Sequence, residues 1–178
     1  MRLIGIDPGS YITGYAVIDE HNRTLNLCEG GLIKIPATID KYHRLQILYE
    51  KIDEIVSENA PECAAIEDTF YHKNVKTSLY LGQIRGAIIL ALLKNKCRIF
   101  EYSPLEIKQA VVGYGHASKD QVEFMVKRLL NIESKKISHD CSDAIATAIC
   151  LSSRILNLAL DDGQTGKKTR ASGRRRRS

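Results

Sequence analysis

The sequence predicts an α/β domain in which a mixed five-stranded sheet is flanked by helices. Three short apolar runs separated by turn residues fill about the first 35 positions, a pattern typical of an antiparallel meander. Two later apolar runs, at 63–66 and 97–102, each follow a stretch with the helical spacing of apolar residues. A strand reached through a helix is expected to lie parallel to a neighbouring strand, so the sheet is mixed.

The strands are bounded by recognisable turn residues. The first strand covers about residues 1–6, and the sequence Asp-Pro-Gly-Ser ends it. Apolar residues resume at 15–18, and the polar cluster 19–23 marks a turn into a third strand over about 25–35. The fourth strand ends at Glu67, and the fifth ends just before Ser103.

The helices are indicated by apolar spacing and by their capping residues. Leu45, Leu48, Ile52 and Val56 recur at helical spacing, with Asp40 as a cap near the start of that helix. Four more helices are predicted: 74–94, one starting at Pro104 after the cap Ser103, 119–130 after the cap Ser118, and about 139–158 after the cap Ser138.

The charge is divided unevenly along the chain. The net charge is +5, but seven Lys and Arg residues follow Asp162 with no acid among them. Residues 1–162 therefore hold 19 basic and 21 acidic residues, a net charge of −2. We predict a domain over residues 1–160 and a disordered basic tail over residues 161–178, where apolar residues are almost absent. A domain of this length excludes a two-lobed ATPase.

Cysteine usage and hydropathy indicate a cytoplasmic protein. The five cysteines are an odd number without CxxC spacing, which is typical of free thiols in a reducing compartment. The sequence has no run of 18 apolar residues, so no membrane span is expected, and the first residues carry no secretory signal.

Four carboxylates are candidates for one site. Asp7 and Glu67 end two strands that are parallel if they are neighbours, so both side chains are expected at the same edge of the sheet. Asp140 and Asp143 are one helical turn apart in the first turn of the last helix. Each has an ordinary alternative, as a turn former or as a partner of the helix dipole. His139 is four residues before Asp143 and faces the same way; it is interpreted as a surface residue, with a metal ligand as the alternative.

Together these acids predict a site for divalent metal ions. Carboxylate oxygens are the ligands that hard cations prefer. Four clustered carboxylates without cations would repel one another, and two divalent ions would relieve that repulsion. Two such ions can also stabilise the attacking and leaving oxygens of a phosphoryl transfer.

Five motifs in collinear order over about residues 1–155 resemble those of the RuvC-type Holliday-junction resolvases. They are GIDPGS with TGY at 5–15, AIE with Phe70 at 65–70, LGQIRG at 81–86, KQAVVG at 108–113 with Lys119 and Val122, and DCSDAIA at 140–146.

The resemblance implies an RNase H-like fold and a homodimer that nicks opposite strands of a four-way DNA junction during recombination and repair. It implies Mg²⁺ or Mn²⁺, two ions per site, 5′-phosphate and 3′-hydroxyl ends, and a partnership with the RuvA–RuvB branch-migration complex. Asp7, Glu67, Asp140 and Asp143 match its metal ligands. Lys119 matches a basic residue that supports catalysis, Lys108 another basic residue of the site, and Phe70 an aromatic that contacts bases.

Further DNA contacts are predicted from the residue types. Phe70 follows a strand end in polar surroundings, where an aromatic side chain is well placed to stack on an unpaired base, although packing beneath its own loop is the alternative. Lys73, Lys76, Arg85 and Lys108 are candidate phosphate contacts. Without the resemblance these basic residues would be interpreted as solvated surface charges.

Two other functions stay open from the sequence. One is a different RNase H-like nuclease, such as an enzyme that processes pre-ribosomal RNA. The other is a non-catalytic nucleic-acid-binding protein that relies on the basic tail, which the complete carboxylate set disfavours.

Overall fold

The computed structural model describes residues 1–68, 74–132 and 137–171, with side chains as far as residue 156. The strands in this part of the chain are β1 (Arg2–Asp7), β2 (Ile12–His21), β3 (Thr24–Lys34), β4 (Cys63–Glu67) and β5 (Arg98–Tyr102). The helices are α1 (Lys41–Asn59), α2 (Val75–Lys94), α3 (Pro104–Val112), α4 (Lys119–Leu129) and α5 (His139–Ala171).

The strands form one mixed sheet in the order β3-β2-β1-β4-β5. β1, β2 and β3 pair antiparallel, whereas β4 pairs parallel with both β1 and β5. The predicted mixed five-stranded sheet with flanking helices is confirmed. The carboxyl ends of β1, β4 and β5 therefore lie at one edge of the sheet, and β2 begins at that same edge.

The helices cover the two faces of the sheet. Helices α1 and α2 pack on one face around Ile4, Ile6 and Ile66, which are fully buried. Helices α3, α4 and α5 pack on the other face against the alternate strand residues, such as Leu3 and Ile18. The alternation follows from the two-residue period of a strand, which turns successive side chains to opposite faces.

Capping residues fix where the helices begin. Ser103 and Ser118 each form a capping box with the residue three positions later, and Asp40 accepts a hydrogen bond from the backbone N–H of Tyr42. Ser138 accepts from the backbone N–H of Cys141 at the start of α5. The caps that the sequence predicts are thus the ones used.

Helix α5 is longer than predicted and continues to Ala171, so its backbone enters the range 161–178 that the sequence predicts to be disordered. The division into a domain at 1–160 and a basic tail stays a prediction. Four cysteines are buried free thiols, whereas Cys28 is exposed. Among the described residues no helix has the length and apolar character needed to cross a membrane.

Candidate active site

Two strand ends bring the first pair of carboxylates together. Ile6 and Ile66 are register partners in the parallel pair β1 and β4, so Asp7 and Glu67 follow side by side at the edge of the sheet. The two carboxyl groups are close enough that each one affects the pKa of the other. The prediction that both acids emerge at one edge is confirmed.

Helix α5 brings the second pair to the same edge. Carboxylate oxygens of Asp7, Asp140 and Asp143 all lie within 4.8 Å of one another. This convergence depends on close contact between the first turns of α5 and the sheet. A Cβ atom built on Gly5 would lie 2.2 Å from the carbonyl oxygen of Ala144, so a larger residue there would push the helix away.

Gly14 has the same role on β2. A Cβ atom built there would lie 2.2 Å from the carbonyl oxygen of Asp140 itself. Because no side chain larger than hydrogen fits at that distance, the two glycines set the separation between the sheet and the first turns of α5. The sequence reasoning did not assign them this role, although both belong to the first motif.

Three of the four carboxylates, all but Asp140, line a cleft of about 290 Å³ between the sheet edge and helices α3, α4 and α5. Asp7, Glu67, Asp143, Lys108 and Lys119 supply its polar groups. The apolar part of the wall comes from Pro104, Ile107, Val122 and Ala146. The cleft therefore combines oxygen ligands with two ammonium groups on a partly apolar wall.

Lys119 forms an ion pair with one of the acids. Its Nζ lies 3.2 Å from Oδ2 of Asp143, and this pairing raises the pKa of the lysine. About two thirds of its side chain is exposed, so the ammonium group stays accessible from the cleft mouth. Lys119 is the first residue of α4, and the cap Ser118 fixes where that helix starts.

The close placement of these acids is unfavourable in the absence of a cation, and a bound cation would remove that unfavourable interaction. Burial, and then the neighbouring carboxylates, raise the pKa values of both Asp7 and Glu67 above the ordinary range. Each of the two carboxyl groups therefore holds its proton more tightly than an isolated carboxyl group does. A cluster of half-buried carboxylates that repel one another is a set that Mg²⁺ or Mn²⁺ fits by charge and by ligand type.

His139 stands apart from this cluster. Its Nδ1 lies 3.4 Å from Glu123 on α4, and more than half of its side chain is exposed. The structure agrees with the interpretation of His139 as a surface residue.

Arg85 does not lie where the sequence predicts a phosphate contact. Its side chain is 9% exposed and lies against the end of β4. It donates from Nη1 to the carbonyl oxygen of Glu67 at 2.9 Å and from Nη2 to Glu101 at 2.6 Å, and Nη1 lies 3.1 Å from Asp68. These contacts argue against the predicted phosphate contact, because the guanidinium group is buried among protein oxygens.

The spacing of apolar residues along α2 already indicated that Arg85 is buried. Arg85 precedes Ile88 by three residues and Leu92 by seven, and those two side chains are fully buried on the sheet-facing side of α2. The same spacing places Arg85 on that side. The sequence interpretation considered only its charge.

The other predicted DNA contacts are distributed around the cleft. Lys108 lines it, and Lys76 is exposed in the first turn of α2. Phe70 and Lys73 lie outside the described residues, so their predicted roles stay predictions.

Comparisons with known proteins agree with this geometry. The family model for crossover junction endodeoxyribonuclease RuvC matches residues 3–151. The RuvC of Ralstonia pickettii is 47% identical over 150 residues, which are 84% of this chain and 82% of the relative. That of Caldanaerobacter subterraneus is 45% identical over 84% of this chain and 91% of the relative.

Solved structures match across the same region. Thermus thermophilus RuvC superposes with a TM-score of 0.79 at 26% identity, covering 86% of this chain and 94% of that one. The same protein in complex with a Holliday junction substrate gives a TM-score of 0.80 at 27% identity, covering 87% and 94%. With the family model, the relatives and the carboxylate cleft all in agreement, this chain belongs to the RuvC family of crossover junction endodeoxyribonucleases.

Proposed function

We propose that the protein is a metal-dependent endonuclease that resolves four-way DNA junctions by paired symmetric nicks during homologous recombination and repair. One observation carries this proposal. Carboxylates from two strands and one helix converge with Lys119 in a single open cleft. The complex of the Thermus thermophilus relative with a Holliday junction supports the choice of substrate.

The four acids Asp7, Glu67, Asp140 and Asp143 are proposed to hold Mg²⁺ or Mn²⁺, two ions per site. Asp7 lies between the other carboxylates, because it contacts Glu67 on one side and the α5 acids on the other. When bound, the ions would supply activation of a water molecule and stabilisation of the departing 3′ oxygen. The expected products carry a 5′-phosphate and a 3′-hydroxyl, which a ligase can rejoin.

The lysines of the cleft have separable proposed roles. Lys119, held by Asp143 yet exposed, is positioned to stabilise charge that develops on the scissile phosphate. Lys108, on the opposite α3 wall, is proposed to hold the DNA backbone in the cleft. Phe70 is proposed to stack on bases at the junction centre, with Lys73 and Lys76 as nearby phosphate contacts.

The proposed enzyme is a cytoplasmic homodimer that works with the RuvA–RuvB branch-migration complex. A junction with near two-fold symmetry is best matched by a two-fold symmetric protein with two active sites. Helix α2 offers an apolar stripe for the interface, because four of its large apolar side chains, Val75, Leu79, Leu90 and Leu93, are exposed. Residues 1–160 would form the nuclease domain, and 161–178 a basic tether.

The test compares Asp7→Asn with wild type on a synthetic mobile four-way junction, with Mg²⁺ or Mn²⁺ added. We expect cleavage to fall by at least about 100-fold while junction binding stays intact, because Asn keeps the shape but not the charge of the ligand. Nicks by the wild type should map to symmetric positions on opposite strands. Linear duplex and structured RNA, as further substrates, separate a resolvase from other RNase H-like nucleases.

Glu50→Gln is the matched control, since Glu50 is an exposed carboxylate on α1 far from the cleft. It should cleave like the wild type. An active Asp7→Asn protein would overturn the assignment of the cleft. Wild-type protein that binds junctions but never cleaves them with either metal would favour a non-catalytic binding protein instead.

A further inference from the structure

A second cluster of side chains lies at the same edge of the sheet, on the α1 and α2 face. The guanidinium carbon of Arg44 lies 4.8 Å from the ring centre of Tyr11 and 5.0 Å from that of Tyr80. The exposed Lys41 and Lys76 start α1 and α2 beside them. We call Tyr11, Arg44, Tyr80, Lys41 and Lys76 the tyrosine–arginine rim.

The rim is continuous with the active-site edge. Tyr11 is four residues after Asp7, in the turn that joins β1 to β2. Arg44 donates from Nη1 to the carbonyl oxygen of Ser10 at 3.4 Å, which ties α1 to this turn. Tyr80 donates from its hydroxyl to the carbonyl oxygen of Lys41 at 3.4 Å, which ties α2 to α1. Three segments far apart in sequence thus form one surface.

The chemistry of the rim fits an extended anion with regularly spaced charges. Aromatic contacts on a guanidinium group fix its orientation and leave its N–H edge for hydrogen bonds. In the described chain the Nη2 group of Arg44 has no hydrogen-bond acceptor. Asp40, four residues before Arg44, caps α1 and contacts His43, and it forms no ion pair with Arg44 among the described residues.

We propose that the tyrosine–arginine rim binds the phosphate backbone of a DNA arm of the junction as that arm approaches the cleft. Arg44 supplies the oriented contact, and Lys41 and Lys76 supply charge along the backbone. Tyr11 and Tyr80 hold the guanidinium group in place. The rim therefore contributes affinity and orientation of the arm, whereas the carboxylate cleft contributes the chemistry. This inference rests on the proposed junction substrate.

The experiment measures binding of a labelled four-way junction without divalent metal, at several salt concentrations, for wild type, Arg44→Gln and Arg44→Lys. For Arg44→Gln we expect the Kd to rise about 5- to 10-fold and the slope of log Kd against log salt to fall by about one. Arg44→Lys keeps the charge but not the planar fork, so it should keep the slope and lose only part of the affinity.

Arg98→Gln is the matched control, because Arg98 is an exposed arginine at the start of β5, at the opposite edge of the sheet. It should bind junctions like the wild type. Cleavage by Arg44→Gln is measured as well, at saturating junction with Mg²⁺, so that a loss of binding and a loss of chemistry are recorded separately.

Two results would overturn the inference. One is an Arg44→Gln protein with wild-type affinity and salt slope. The other is unchanged affinity with a large loss of cleavage at saturation, which would make Arg44 a support for the Asp7 turn instead. Failure of the proposed function is distinguishable, since wild-type protein would then show no preference for four-way junctions over linear duplex in the same binding assay.

Discussion

The carboxylate cleft and the tyrosine–arginine rim lie at one edge of the sheet but hold their charges in opposite ways. In the cleft, half-buried acids lie next to one another, and the pKa values of Asp7 and Glu67 are raised as a result. In the rim, Arg44 is contacted by two aromatic rings and hydrogen-bonded to a carbonyl oxygen, with lysines exposed around it. A bound cation would relieve the repulsion among the acids of the cleft, whereas an anion would complement the positive charge of the rim, where the buried Nε of Arg44 has no hydrogen-bond partner among the described residues.

This difference separates catalysis from binding in the same molecule. A change in the cleft or in its supports should alter the metal requirement and the stability of the metal-free protein. A change in basic groups outside the cleft should alter affinity for DNA and its dependence on salt. The following predictions sharpen that division, starting with the largest expected effect on cleavage.

Arg85 supports the end of β4 at Glu67. A substitution of Arg85 can weaken this support without removing a proposed metal ligand. A lysine at position 85 has a single ammonium group, which cannot contact the carbonyl of Glu67 and the carboxylates of Asp68 and Glu101 together. We expect Arg85→Lys to raise the Mn²⁺ concentration for half-maximal cleavage about 10-fold, with the rate recovering at high metal. The measurement is a metal titration of the cleavage rate.

A second readout shows whether Arg85 acts on the metal site or only on stability. The rise in melting temperature on adding Mn²⁺ should require about 10-fold more metal in Arg85→Lys than in wild type. Ile88→Val is the control, because it removes buried volume from the same helix and leaves the hydrogen bonds of Arg85 to Glu67 and Glu101 in place. Equal metal requirements for Arg85→Lys and Ile88→Val would reduce Arg85 to a general stabilising residue.

The raised pKa values predict how the metal-free protein responds to pH. The folded protein binds more protons at Asp7 and Glu67 than the unfolded chain does, so its stability falls as pH rises through this range. We expect the free energy of unfolding to fall by about 2 kcal/mol between about pH 5 and about pH 8. Carboxyls with a lowered pKa, such as Asp19, titrate below this window.

Urea unfolding of the metal-free protein at several pH values measures this effect. Saturating Mg²⁺ should remove most of the slope, because the cations replace protons as partners of the carboxylates. Glu67→Gln is the control, since it removes one of the two titrating groups and should flatten the curve. Stability that stays level or rises with pH would show that the acids do not repel one another in solution.

Much of the cleft was predictable from the sequence because its determinants are local. A strand end, a Pro-Gly turn and an i, i+3 pair of acids each show in a few consecutive residues, and parallel pairing of β1 with β4 follows from the helical crossover. The resemblance then fixed which acids belong together. The caps Asp40, Ser103, Ser118 and Ser138 were predictable for the same local reason.

The supports of the site were not predictable in this way. Arg85 acquires its role from Asp68 and Glu101, which lie on or beside other strands, and the sequence interpretation treated it as a DNA contact. Arg44 meets Tyr11 and Tyr80 only because α1, α2 and the β1–β2 turn converge. Such contacts depend on the packing of distant segments, which composition and periodicity do not encode.

The last prediction concerns the positive charge near the end of the sequence, which belongs neither to the proposed metal ligands nor to the tyrosine–arginine rim. Residues 163–178 carry seven basic residues and no acid, whereas residues 1–162 have a net charge of −2. Removing 163–178 should weaken junction binding at low salt and flatten its salt dependence, because fewer counterions are released. Cleavage at saturating junction should stay unchanged, since all proposed metal ligands remain.

A full-length variant with the seven basic residues replaced by Gln is the matched control, because it keeps the chain length and loses only the charge. If the tail is a non-specific tether, the truncated protein and the Gln variant should each lose as much affinity for linear duplex as for four-way junctions. Arg44→Gln, in contrast, should lower the affinity for the junction more than the affinity for the duplex, because the rim is fixed beside the cleft. Loss of cleavage at low salt by a folded truncated protein would show that the tail acts on the chemistry, and the division between cleft and outlying charge would not hold.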